Sequence, residues 1–222
     1  MSKKGNFFTP AATDCRNLHP DKPRICCRYR EIREGILLTD THIAEVKRIT
    51  VEVAAETFRT GFCMAPQVHL FYEPENEYVG YVSCREYYRG QDAVAAIGHM
   101  GVIAAAMCAT RLLVVWEESD LRTSIYGPSA NVYPNGLALL DISLTGHEIS
   151  WYPFRYVNEH RQLPSLTANI DIEWGQPSRQ PSVDLLPGIH DLIHSWRTEM
   201  MNPHGPTWVQ TITDAAIAAG YL

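Results

Sequence analysis

Gly90–Trp116, GQDAVAAIGHMGVIAAAMCATRLLVVW, is the stretch on which the fold reading turns. After Gly90-Gln91-Asp92 the residues to about Ala109 are rich in alanine, with larger apolar side chains among them. That composition predicts a helix whose small side chains let it pack closely on a sheet face, with Asp92 as a capping acid. Arg111–Trp116, RLLVVW, follows at once as a short, continuously apolar run, the pattern of a strand buried on both faces. A third element precedes them: Tyr78–Cys84 is rich in aromatic and β-branched residues and predicts a strand. Strand, helix, strand predicts a right-handed crossover and a parallel pair inside a mixed sheet.

Upstream, Gln67–Tyr72 predicts a partner strand, joined to Tyr78–Cys84 by the acidic loop Glu73-Pro74-Glu75-Asn76-Glu77. Before it, Asp40 or Thr41 can cap a helix in which Ile43, Val46, Ile49, Val53 and Phe58 recur at helical spacing until Gly61. Downstream, Leu137–Leu144 and Glu148–Tyr156 flank Thr145-Gly146-His147 as a hairpin, and Asn169–Trp174 predicts a further strand. A proline-studded segment leads into a helix over Pro187–Met201, and Thr207–Gly220 predicts a last one. The expected class is α+β: a mixed sheet of about five or six strands, one crossover helix, an N-terminal helix and two C-terminal helices. Residues 1–38 are irregular and basic, and residues 39–222 form a single domain.

Composition bounds the function. With 222 residues, 45% of them hydrophobic, the chain can bury a core, which excludes the disordered and fibrous classes. Its net charge of −6 disfavours wholesale phosphate-backbone binding. The charge is uneven, however: residues 1–34 carry +4 and the remainder −10, so the arm could touch nucleic acid or pack on its own acidic body. The amino end lacks an apolar leader, and Ala93–Cys108 is too short and too rich in Ala and Gly for a membrane span, so a cytoplasmic protein without a membrane role is expected. Six cysteines in that setting read as reduced thiols, and Cys63 and Cys84, beside apolar sequence, as buried ones.

Three patterns carry candidate chemistry. His190-Asp191-Leu192-Ile193-His194 places two imidazoles four residues apart on one helical face, where they can share a metal ion with Glu199 or His204 as a third ligand. Asp191 stands where the related metalloprotease motif has Glu, one methylene longer. The structural alternative is an amphipathic helix burying Ile189, Leu192, Ile193 and Trp196. Cys15, His19, Cys26 and Cys27 offer enough ligands for a zinc ion in the arm, although adjacent cysteines diverge; free thiols are the alternative. Lastly, Glu117, Glu118 and Asp120 follow the apolar strand where a ligand crevice opens at strand carboxyl ends, and Tyr87, Tyr88 and Arg89 are expected to face the same crevice. The alternative there is an acidic helix start. Phosphate loops, nucleophile elbows, paired C-x-x-C motifs and kinase signatures are absent from the chain.

The run from Ala65 to Arg122, with its hairpin, Asp-capped Ala-rich helix and strand closing on Trp116-Glu117 before Asp120-Leu121-Arg122, resembles actinobacterial and bacteriophage α+β proteins of unknown activity. The resemblance implies the fold class and transfers no residue role. Lacking a complete catalytic set, the chain is expected to be a non-catalytic binding or regulatory protein whose partner is another protein or a small ligand. Trp151, Tyr152, Phe154 and Tyr156, beside Pro153 on an edge strand, could supply a protein or homo-oligomer interface, or could be core. The alternatives are a metal-dependent hydrolase using the histidine pair or Glu117 and Asp120, and nucleic-acid contact through the arm.

Overall fold

The computed structural model describes residues 42–73, 77–129, 133–157, 169–180 and 184–201, with isolated positions near the carboxyl end. In chain order the elements are α1 (His42–Arg59), β1 (Gln67–Tyr72), β2 (Glu77–Ser83), α2 (Gln91–Ala106), β3 (Arg111–Glu117), α3 (Glu118–Tyr126), β4 (Gly136–Ser143), β5 (His147–Tyr156), β6 (Ile172–Trp174), β7 (Ser178–Gln180) and α4 (Pro187–Met200). The class is α+β, as the sequence predicts.

The strands run β2-β1-β3-β4-β5-β6, with β7 also on β5, and every pairing is antiparallel. The expected parallel pair does not form. Because β1 is antiparallel to both β2 and β3, those two strands point the same way, and α2 does cross between them. It crosses over β1, which occupies the place between them, so a split β-α-β unit replaces the adjacent parallel pair.

β3 is central and buried on both faces. Alternation sends Leu112, Val114 and Trp116 to a core beneath α2 and α4, and Leu113 and Val115 to a core beneath α1. Helices therefore cover both faces of an antiparallel sheet. On the first face α2 and α4 lie in close contact because Gly101 has no side chain: a Cβ there would collide with the Leu192 carbonyl oxygen and the Ser195 hydroxyl. On the second face Asp141 of β4 receives Lys47 Nζ at 2.7 Å and the Arg111 guanidinium at 2.8 and 3.1 Å, tying α1 to the sheet. These cations hold the Asp141 carboxyl below the usual carboxylate range despite its burial.

α2 starts differently from expectation. Its N-cap is Gly90, and the Asp92 carboxylate instead accepts the Tyr88 amide at 2.7 Å and Arg85 at 2.6 Å. β5 is no edge strand: β4 lies on one side and β6 and β7 on the other, with Pro153 at the break between the two short strands, where no ladder donor is needed. Of its aromatics Phe154 is core, stacking on Phe58 with ring centroids 4.5 Å apart; Trp151 and Tyr152 are half-buried on opposite faces, and Tyr156 is exposed. No helix among the described residues is long and apolar enough to cross a membrane.

Several expectations fall outside the described residues: the arm with Cys15, His19, Cys26 and Cys27, the cap at Asp40 or Thr41, the loop tip at 74–76, and His204. Of the last predicted helix only isolated positions are described, with Asp214 and Ile217 helical.

Candidate functional site

The end of β3 brings several perturbed titratable groups together. Glu117 continues the alternation of Leu113 and Val115 and so turns toward the α1 face, where it is 5% exposed. Its carboxylate accepts the Met64 amide and the Ser119 hydroxyl, each at 3.3 Å. Asp120, in the first turn of α3, lies near it, with the Cys63 thiol close to both carboxylates. Burial, with the nearby Asp120 charge adding to it, pushes the Glu117 carboxyl up to about 7. Burial likewise raises Asp120, against the pull of the Cys63 hydrogen bond and of Arg89.

Two tyrosines flank the carboxylate pair, Tyr87 half-buried and Tyr156 exposed. Tyr87 lies near Asp120, hydrogen-bonded to Ser124, and Tyr156, at the far end of β5, lies near Glu117. Burial chiefly holds both phenols near 12, so each is a neutral hydroxyl at physiological pH.

The three expected carboxylates do not converge. Glu118 turns to the other face of the sheet, where it accepts Trp116 Nε1–H at 2.6 Å and Arg122 Nε–H at 2.5 Å. Consecutive residues at a strand end face opposite ways, and only Asp120, three residues on, returns to Glu117. Tyr88 is 86% exposed and stands outside the recess, whereas its neighbour Tyr87 faces it; Arg89 is exposed and acts on Asp120 through its charge.

Cys63 reaches the surface rather than being buried as expected, while Cys84 is buried and its thiol is pushed up to about 11. Desolvation and the charges of Glu117 and Asp120 push the Cys63 thiol up to about 12. With so little thiolate at neutral pH it is a poor nucleophile. Alkylation of Cys63 by iodoacetamide at pH 8, followed residue by residue by mass spectrometry, is expected to run roughly 50-fold slower than that of a free cysteine, because the scarcity of thiolate outweighs its higher intrinsic nucleophilicity. A rate equal to the free thiol's would show that the carboxylates do not act on it.

The histidine pair lies elsewhere. On α4, Ile189, Leu192, Ile193 and Trp196 are buried, and His190 and His194 stand outside, exposed, with nearly parallel rings 6.3 Å apart. Glu199 is half-buried on the same helix. Among the described residues no three His, Cys, Asp or Glu side chains gather as a metal site. A further histidine, His69, has no sequence pattern to mark it. It is wholly buried with Nδ1 2.9 Å from the Tyr78 hydroxyl, and burial drives it down to about 3, so it is a neutral core residue.

No protein-family model, curated protein or solved structure matches this chain.

Proposed function

We propose that this protein is a non-catalytic binder of a small cationic ligand, a protonated amine or quaternary ammonium, held by Glu117 and Asp120 between Tyr87 and Tyr156. The observation that carries the reading is a buried carboxylate placed beside a second one, with Arg89 the cation found to act on Asp120. Two neighbouring anions in a low-dielectric recess are costly until a cation joins them. The tyrosine rings add faces that attract a desolvated ammonium group. Glu118 and Tyr88 have no role in this recess, and Arg89 is the counter-charge that the ligand displaces.

Ethylammonium and tetramethylammonium, titrated against the protein with tyrosine ring signals followed by NMR, test it. Binding is expected at pH 8 and is expected to weaken as pH falls through 7, because protonation of Glu117 removes one of the two charges. Asp120→Asn is expected to weaken binding about tenfold or more. If neither cation binds at pH 8, or if Asp120→Asn leaves the affinity unchanged, the reading fails.

A further inference from the structure

A cavity of about 260 Å³ opens on the other face of the sheet, between β3, β4, β5, the start of α3 and the segment 184–186 that leads into α4, and shares no residue with the site of Glu117 and Asp120. Its shape follows from β4. There Ala138 presents almost no side chain, while Trp116 on β3 and Trp151 on β5 stand in register on either side of it, with Leu186 as a further wall. Trp151 lies so close over Gly136 that a Cβ at that position would enter its ring, which fixes the indole against the strand. Trp116 is fixed differently, by its Nε1–H donating to Glu118 at 2.6 Å.

The polar groups at the rim are disposed for a ligand. Glu118 takes Arg122 through Nε, which leaves both outer guanidinium nitrogens, a fork of donors, without a partner among the described residues. Asp184 lines the same cavity and is exposed, yet forms no ion pair with Arg122. A cation and an anion that border one cavity without meeting offer a donor and an acceptor to something between them. Flat aromatic walls, a volume near the small end of ligand cavities and one donor beside one acceptor describe a specific kind of molecule.

We propose that this cavity is a ligand site for a planar heteroaromatic ring of nucleobase type, which lays its faces against Trp116 and Trp151 and presents a neighbouring acceptor and donor to Arg122 and Asp184. Stacking on indole is tolerant of ring identity, and the charged pair reads the ring edge. The site is separate from the cation recess, and either could exist without the other.

Quenching of tryptophan fluorescence by adenine and by cytosine tests it, with indole as a ring that has the stacking face but no acceptor. Saturable quenching by at least one nucleobase is expected below about 10 mM, with Arg122→Gln and Asp184→Asn each weakening it about tenfold. Asp184→Asn is at the rim and leaves the cores intact; Arg122→Gln also removes the counter-charge of Glu118, so an unchanged urea midpoint is required before its weakened quenching counts. No saturable quenching by either nucleobase would overturn the proposal. So would quenching by indole as strong as by the nucleobases and indifferent to both substitutions.

Discussion

Replacing Trp196 by alanine is expected to lower the unfolding free energy by about 3–5 kcal/mol, the range for deleting a fully buried indole. Trp196 has no exposed surface, and its Nε1–H donates to the Ala109 carbonyl at 2.9 Å. That bond ties α4 to the short link between α2 and β3, so one side chain fills the core and satisfies a buried acceptor. Trp196→Phe keeps most of the volume and loses the donor, and is expected to cost about 1–3 kcal/mol for the orphaned carbonyl. Urea unfolding of the three proteins checks both values. A loss below about 1 kcal/mol for the alanine variant would mean that α4 is not docked as described. Since whole domains are stable by roughly 5–15 kcal/mol, the alanine variant should be close to unfolding at about 37 °C.

Glu117→Gln is expected to act in the opposite direction, and only above a certain pH. Burial raises the carboxyl from 4.5 to about 7, so the folded protein holds a proton there that the unfolded chain releases. Folding therefore bears no penalty from this group well below pH 4.5, a growing one between 4.5 and 7, and the full penalty above 7. The full value is at most about 3 kcal/mol. Glutamine keeps an oxygen for the Met64 amide and offers its NH2 to the Ser119 hydroxyl, which then accepts rather than donates; it also removes the charge and relieves Asp120. The variant should be about 1–3 kcal/mol more stable than the parent at pH 8 and indistinguishable from it near pH 4, measured by urea unfolding across that range. A variant less stable at pH 8, or a gain equal at both ends, would contradict a buried, partly protonated Glu117. Stabilisation combined with loss of ammonium binding is the pattern of a residue retained for its ligand rather than for the fold.

Much of the architecture was legible in the chain. The continuous run at Leu112–Trp116 marks a strand covered on both sides, and it lies at the centre of the sheet. Helical spacing of Ile189, Leu192, Ile193 and Trp196 places the α4 stripe inside and leaves His190 and His194 outside. Direction of pairing was not legible, because periodicity reports which face a residue occupies and says nothing of which strand lies alongside. The short strands β6 and β7 cover the flank of β5, so Pro153 and its neighbours lie within the sheet rather than at its edge. Three residues carry no local pattern to announce an ordering role: Glu118, α3's first residue, which orients Trp116 and Arg122, and Cys63 and Tyr156, which meet Glu117 from far along the chain.

By itself the amino-acid order determined the class of fold, the identity of its central strand, and which stretches alternate between water and core, since these follow from local periodicity and burial. Tertiary structure alone decided that β1 would come between β2 and β3, strands of like direction. It also decided that Glu117 and Glu118 would serve opposite faces, and that Cys63 and Tyr156 would come near Glu117 while Tyr87 comes near Asp120. The physical reason is that a carboxyl's ionisation, like a cavity's shape, depends on neighbours brought close by packing, and no spacing along the chain encodes the dielectric around an atom.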